Sequence, residues 1–127
     1  QALDGGYTPL YVACQDGHTE TATALIAAGA KVNQATDGGY TPLYIACREG
    51  HTETAAALIA AGANVNQAMD GGATPLFIAC EEGHTETAAA VLVVCYRALL
   101  YYNIRRSVRA AARAVSLSAA PRRARRE

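Results

Sequence analysis

One phrase occurs three times in this chain. DGGYTPLYVAC begins at Asp4, DGGYTPLYIAC at Asp37 and DGGATPLFIAC at Asp70. The steps are 37 − 4 = 33 and 70 − 37 = 33 residues. A fixed period of that size constrains the fold strongly, because one such unit is too small to bury its own apolar face. Units must stack, each covered by its neighbours. Units 4–36 and 37–69 differ at six positions, and residues 70–90 differ from the second unit at three. Near-identical units stacked on one another make a solenoid.

The central unit shows the local logic. Its DGG is turn chemistry, since glycine takes positive φ at little steric cost. Thr41 and Pro42 follow as a hydroxyl N-cap and a proline at the first helical position. Leu43, Ile45 and Ala46 give a short helix its apolar side, and Gly50 stops it. Thr52 is expected to cap a second helix, with Glu53 at its positive end. Ala55, Leu58 and Ile59 fall at i, i+3 and i+4 on one helical face. Gly62 stands where a left-handed C-terminal cap is wanted. Each unit therefore reads turn, helix, turn, helix, loop.

The pattern G-x-T-P-L-x-x-A-x-x-x-G-H, then a Leu-Ile pair, then G-A-x-V-N, resembles the ankyrin repeat. It spans Gly6 to Asn33 and Gly39 to Asn66, and in part Gly72 to Ala90. The resemblance implies an all-α, ankyrin-type solenoid of helix-turn-helix units with short turn fingers. There are departures. Where the family usually has His after T-P-L, this chain has Tyr11, Tyr44 and Phe77, which replace a polar contact by larger rings. Cys14, Cys47 and Cys80 stand where Ala is common. Ala22, Ala55 and Ala88 stand where a larger aliphatic is common, so the core between second helices is expected to be thin.

The third unit should continue LIAAGANVN. It reads instead VLVVCYRALLYYNIRRSVRAAARAVSLSAAPRRARRE. No glycine ends the second helix, so an extended C-terminal helix is expected over residues 91–120, up to Pro121. Residues 121–127 then form a disordered basic tail. Charge splits at the same place. Residues 1–90 carry ten acids against Lys31 and Arg48, a net −8, and residues 91–127 carry nine arginines against Glu127, a net +8. Ile104, Val108, Ala111 and Val115 fall on one face of this helix, with Arg105, Arg106, Arg109 and Arg113 on the other. Three readings stand: a helix that completes and caps the third repeat, a sequence produced by a change of reading frame, and a basic helix for acidic lipid or nucleic acid. Residues 88–104 fall short of the roughly 20 apolar residues a bilayer core requires, and Arg97 and Asn103 interrupt them.

Catalytic chemistry finds no constellation. Cys14 and His18 recur as C-x₃-H, but zinc wants four converging ligands and each unit offers two. The H-x-E of His18 and Glu20 lacks the P-C-x-x-C that zinc deaminases need. No phosphate loop or nucleophile elbow occurs, and serine is confined to the tail. No cofactor is expected. The four cysteines read as small buried thiols in a reducing compartment, because stacked helices stand about 8–10 Å apart while disulfides need Cα atoms within roughly 7 Å.

Function is sought where the units differ: Gln15/Arg48/Glu81, Tyr7/Tyr40/Ala73, Asp16/Glu49/Glu82, Lys31/Asn64 and Thr36/Met69. The resemblance implies that the residue before T-P sits on the projecting turn and the pair before G-H at the end of the first helix, both on the concave, partner-binding surface. Tyr7, Gln15, Asp16, Tyr40, Arg48, Glu49, Glu81 and Glu82 are therefore the expected contacts, with the tyrosines as anchors. The expected function is a non-enzymatic protein–protein interaction module. Its N-terminus begins in mid-phrase and reads as a cut through a longer array. The partner is another protein, nucleic acid and membrane are disfavoured, and the location is cytoplasmic or nuclear. The alternative is a peripheral anchor, in which the Arg helix binds an acidic membrane or nucleic acid.

Overall fold

The structure is a computed structural model and describes residues 3–118. Among the described residues it is all-helical: α1 (Pro9–Gln15), α2 (Thr19–Ala27), α3 (Pro42–Glu49), α4 (Thr52–Ala60), α5 (Pro75–Glu81) and α6 (Thr85–Ser118).

The first helix of each unit begins as its sequence dictates. Thr8, Thr41 and Thr74 have extended backbones, and their hydroxyls accept from the N–H groups of Tyr11, Tyr44 and Phe77, each at 3.1 Å. The proline that follows has no N–H at a position where the helix could not satisfy one. Such a cap contributes about 1 kcal/mol. Seven or eight residues do not hold a helix in water unaided, so packing must supply the rest.

The second helices begin differently from the expectation. Thr52 does not cap α4. It is the first helical residue, His51 is the N-cap, and no side chain closes that cap. The Thr52 hydroxyl is spent on the neighbouring unit, where it meets the Thr87 hydroxyl at 2.7 Å; Thr19 and Thr54 form the same pair one unit earlier, also at 2.7 Å.

Among the described residues the main packing is between neighbours. α1 lies on α3 and α3 on α5, α2 backs α1, α4 backs α3, and α2 meets α4. Leu10, Leu43, Ile45, Leu58 and Val91 fill one continuous core. Ala22, Ala46, Ala55 and Ala79 are wholly buried between them. The turn fingers are joined through backbone. Asp37 N–H donates to the Gly5 carbonyl at 2.9 Å, and Asp70 N–H to the Gly38 carbonyl at 3.0 Å.

α2 and α4 stop at Ala27 and Ala60, with Gly29 and Gly62 at φ +97° and +95° just beyond. The position of Gly62 recurs at 62 + 33 = 95, where the chain has Cys95, and α6 runs on to Ser118. The chain divides there into two compact units, Gln1–Cys95 and Tyr96–Glu127. In the first, Val91 is buried and Cys95 half-buried; in the second, every described residue from Tyr96 to Ser118 is exposed. The expected helix end at Ala120 and the basic tail at 121–127 lie outside the described residues.

Candidate functional site

The finger before each T-P-L carries the first variable position. Tyr7 is exposed and Tyr40 half-buried. Each packs its ring on the buried tyrosine one helical turn later. Tyr7 and Tyr11 are edge-on, with centroids 5.2 Å apart and planes at 61°; Tyr40 and Tyr44 stand 5.2 Å apart at 49°. This ring-on-ring contact holds an otherwise mobile phenol against the body of the unit. Ala73 removes the pair from the third unit.

The second variable position lies at the end of the first helices. Gln15, Asp16, Arg48, Glu49, Glu81 and Glu82 are all exposed. Arg48 is in the last turn of α3, where a cation suits the helix dipole. The electrostatics of the buried tyrosines bring Arg48, Glu49, Glu81 and Glu82, though not Gln15 or Asp16, to bear on two rings. The Tyr11 phenol is pushed up from its usual value first by burial, then by Tyr7, with Tyr40 and Glu49 adding to the shift and Arg48 opposing it. Tyr44 is raised by burial, then by Tyr40, with Glu81 and Glu82 adding and Arg48 again opposing. The ridge thus draws Tyr7, Tyr40, Arg48, Glu49, Glu81 and Glu82 into one field around two buried rings.

A positioning element was missed by sequence reasoning. Nε2 of His51 donates to the Gln15 carbonyl at 3.0 Å, and Nε2 of His84 donates to the Arg48 carbonyl at 3.0 Å. A carbonyl can only accept, which fixes the proton on Nε2. The residue that varies from unit to unit is therefore pinned through its backbone by the histidine of the next unit. The signal was present in H-T-E-T, repeated at His18, His51 and His84 with the period of the fold. Gly17 and Gly50 make room for it. Both take left-handed φ, +74° and +75°, and a Cβ on either would come within 2.6 and 2.5 Å of the facing imidazole. Among the described residues no group of three His, Cys, Asp or Glu side chains is placed to hold a metal ion.

The cysteines are not uniformly buried, contrary to expectation. Cys14 and Cys47 are buried, Cys95 is half-buried and Cys80 is exposed. Burial depends on the next unit, which covers Cys14 and Cys47 and does not follow Cys80. Burial pushes both covered thiols up to about 12, from 9.0 for an exposed one. Above pH 9 the unfolded chain releases protons that the folded chain retains, so stability is complete below pH 9 and falls as pH rises toward 12. Urea midpoints at pH 8 and pH 10.5 are expected to show that loss, and Cys14→Ala with Cys47→Ala to lessen it, the remainder coming from the raised Tyr11 and Tyr44 phenols.

On α6, Arg105, Arg106, Arg109 and Arg113 are exposed, and so are Ile104, Val108 and Val115. Tyr102, Arg105, Arg106 and Arg109 line one shallow depression. By length and composition α6 is also apolar enough to cross a bilayer.

Helical hairpins stacked in register, with turn fingers joined edge to edge and an exposed ridge of variable residues, define a helical-repeat solenoid. The sequence model of ankyrin repeats, in three copies, matches residues 1–69 and 36–105. The chain belongs to the ankyrin repeat family. Ankyrin repeats are generally protein–protein interaction modules, and the family is typically non-enzymatic. No curated protein matches the chain.

Proposed function

We infer that the chain is a binding module whose ridge, formed by the fingers and the ends of α1, α3 and α5, holds a basic or mixed-charge protein surface. The observation that carries this reading is the convergence of exposed, variable side chains around Tyr11 and Tyr44, on a backbone fixed by interunit histidines. Asp16, Glu49, Glu81 and Glu82 outnumber Arg48 there. That charge favours a cationic partner and speeds its encounter. Tyr7 and Tyr40 offer large, rigid contact areas at little entropic cost. Free thiols suit a reducing compartment, cytoplasm or nucleus. Combined Tyr7→Ala, Tyr40→Ala and Arg48→Ala replacement is expected to abolish partner capture by the full chain while leaving its far-ultraviolet circular dichroism unchanged. Capture that survives the triple replacement would show that the ridge is not the contact surface.

A second reading rests on the exposed two-sided face of α6. Its arginines and the apolar residues between them suit an anionic lipid surface. Changing Arg105, Arg106, Arg109 and Arg113 to Gln is expected to release the full chain from phosphatidylserine vesicles in a sedimentation assay. Equal sedimentation of both forms, or none of either, removes this reading.

A further inference from the structure

The arginines of α6 lack partners within their own helix. From Tyr96 to Ser118 every residue is exposed. After Glu86 the helix carries no Asp or Glu as far as Ser118, so no arginine has an acid three or four residues away to pair with. Arg105, Arg109 and Arg113 follow one another at i, i+4, where like charges repel. An acidic surface laid along this face relieves that repulsion. The face also has a definite step. Arg106 and Arg113 are seven residues apart, which returns them to nearly the same bearing about 10 Å apart along the helix axis.

The ridge carries the complementary row. Asp16, Glu49 and Glu82 hold the same position in three successive units, at the ends of α1, α3 and α5, and all three are exposed. α1 lies on α3 and α3 on α5. Helices packed side by side stand about 8–10 Å apart. One acid per unit therefore recurs at nearly the step that separates Arg106 from Arg113. Glu81 sets a second carboxylate beside Glu82, against the cation of Arg48. Tyr7 and Tyr40 add rings on which a guanidinium stacks.

We propose that the arginine face of α6 docks on the ridge of a second copy of this chain, with Arg106 and Arg113 paired to Glu49 and Glu82. The proposal rests on the ridge being the contact surface, and it gives that surface a partner of definite chemistry, an arginine-bearing helix. Each guanidinium offers a planar fork that meets a carboxylate through two parallel hydrogen bonds. A bilayer of mobile headgroups takes any positive face. A row of carboxylates fixed to a solenoid favours the helix whose charges share its step, and this chain carries both halves of that match.

Two charge reversals test it in the full chain, each at exposed residues. Glu49→Arg with Glu82→Arg reverses the ridge, and Arg106→Glu with Arg113→Glu reverses the helix. In sedimentation velocity at low salt the parent chain is expected to gain mass as concentration rises. It should lose that mass in about 1 M sodium chloride, where the screening length is about 3 Å. Each variant alone is expected to associate at least tenfold more weakly, with unchanged circular dichroism. An equimolar mixture of the two should regain the association, because each variant then meets the face it lacks on the other chain. A contact made within one chain is not restored by mixing, so a mixture that stays monomeric while both variants are folded overturns the proposal. So does either variant that associates as the parent does. A monomeric parent whose partner capture is abolished by the ridge reversal overturns the choice of occupant and leaves the ridge reading standing. A monomeric parent whose capture survives that reversal overturns both.

Discussion

Replacing Tyr44 by Ala is expected to cost about 3–5 kcal/mol of unfolding free energy, and the same change at Phe77 less than about 1 kcal/mol. The two rings occupy equivalent positions, one turn after a Thr-Pro start, and both helices begin with the same cap. Only the neighbour differs. Tyr44 is enclosed by the unit that follows it, so its removal leaves a cavity and strips the Tyr40 ring of its support. Phe77 already spends more than half its surface in solvent. Urea denaturation gives both numbers. Equal losses at the two positions would show that burial by the next unit is not what holds these rings.

The second large effect is expected at Gly50. Both Gly50 and Gly83 take left-handed backbone, at φ +75° and +76°. A Cβ in that region costs roughly 1–2 kcal/mol wherever it stands. At Gly83 that is the whole expected loss, since nothing lies within 4 Å. At Gly50 a methyl group would sit 2.5 Å from the His84 ring and displace it from the Arg48 carbonyl. Losing that bond adds about 1 kcal/mol and crowding adds more, for a total near 2–4 kcal/mol. The difference belongs to one pair of residues, so a double-mutant cycle isolates it. In a His84→Ala background the Gly50→Ala loss should fall toward that of Gly83→Ala. An undiminished loss would place the cost in the backbone alone.

These contrasts mark where sequence reading reaches and where it stops. The Thr-Pro starts, the glycine stops and the 33-residue period were legible because each is a rule about local backbone. The roles of His51 and Thr52 were not. Both look like residues of a helix start, and both are committed to atoms in another unit, Gln15 and Thr87. Nothing beside them in the chain announces that distant claim. The burial of Cys80 was misjudged for a related reason. Its own unit is nearly a copy of those holding Cys14 and Cys47, but burial is conferred by the unit after it. On the ridge, variation between units pointed to Arg48 and Tyr40. The stacked rings and the shared field around Tyr11 and Tyr44 arise only when neighbouring units are packed together, so no local pattern announces them.

The histidine-to-carbonyl link also bears on how such a chain can change length. Each 33-residue unit carries a donor for the unit before it and an acceptor for the unit after it, so every seam is chemically the same. Excision of residues 37–69 would bring His84 to the Gln15 carbonyl and Thr87 to Thr19, restoring the bonds it removed. Duplication of that stretch would add one more seam of the same kind. Gain or loss of whole periods therefore leaves no polar group stranded inside, whereas a break at any other phase severs a donor from its acceptor. Recombination between the near-identical segments that encode these units can lengthen or shorten the array without a structural penalty at the join, and the ridge residues are free to diverge on each copy afterwards.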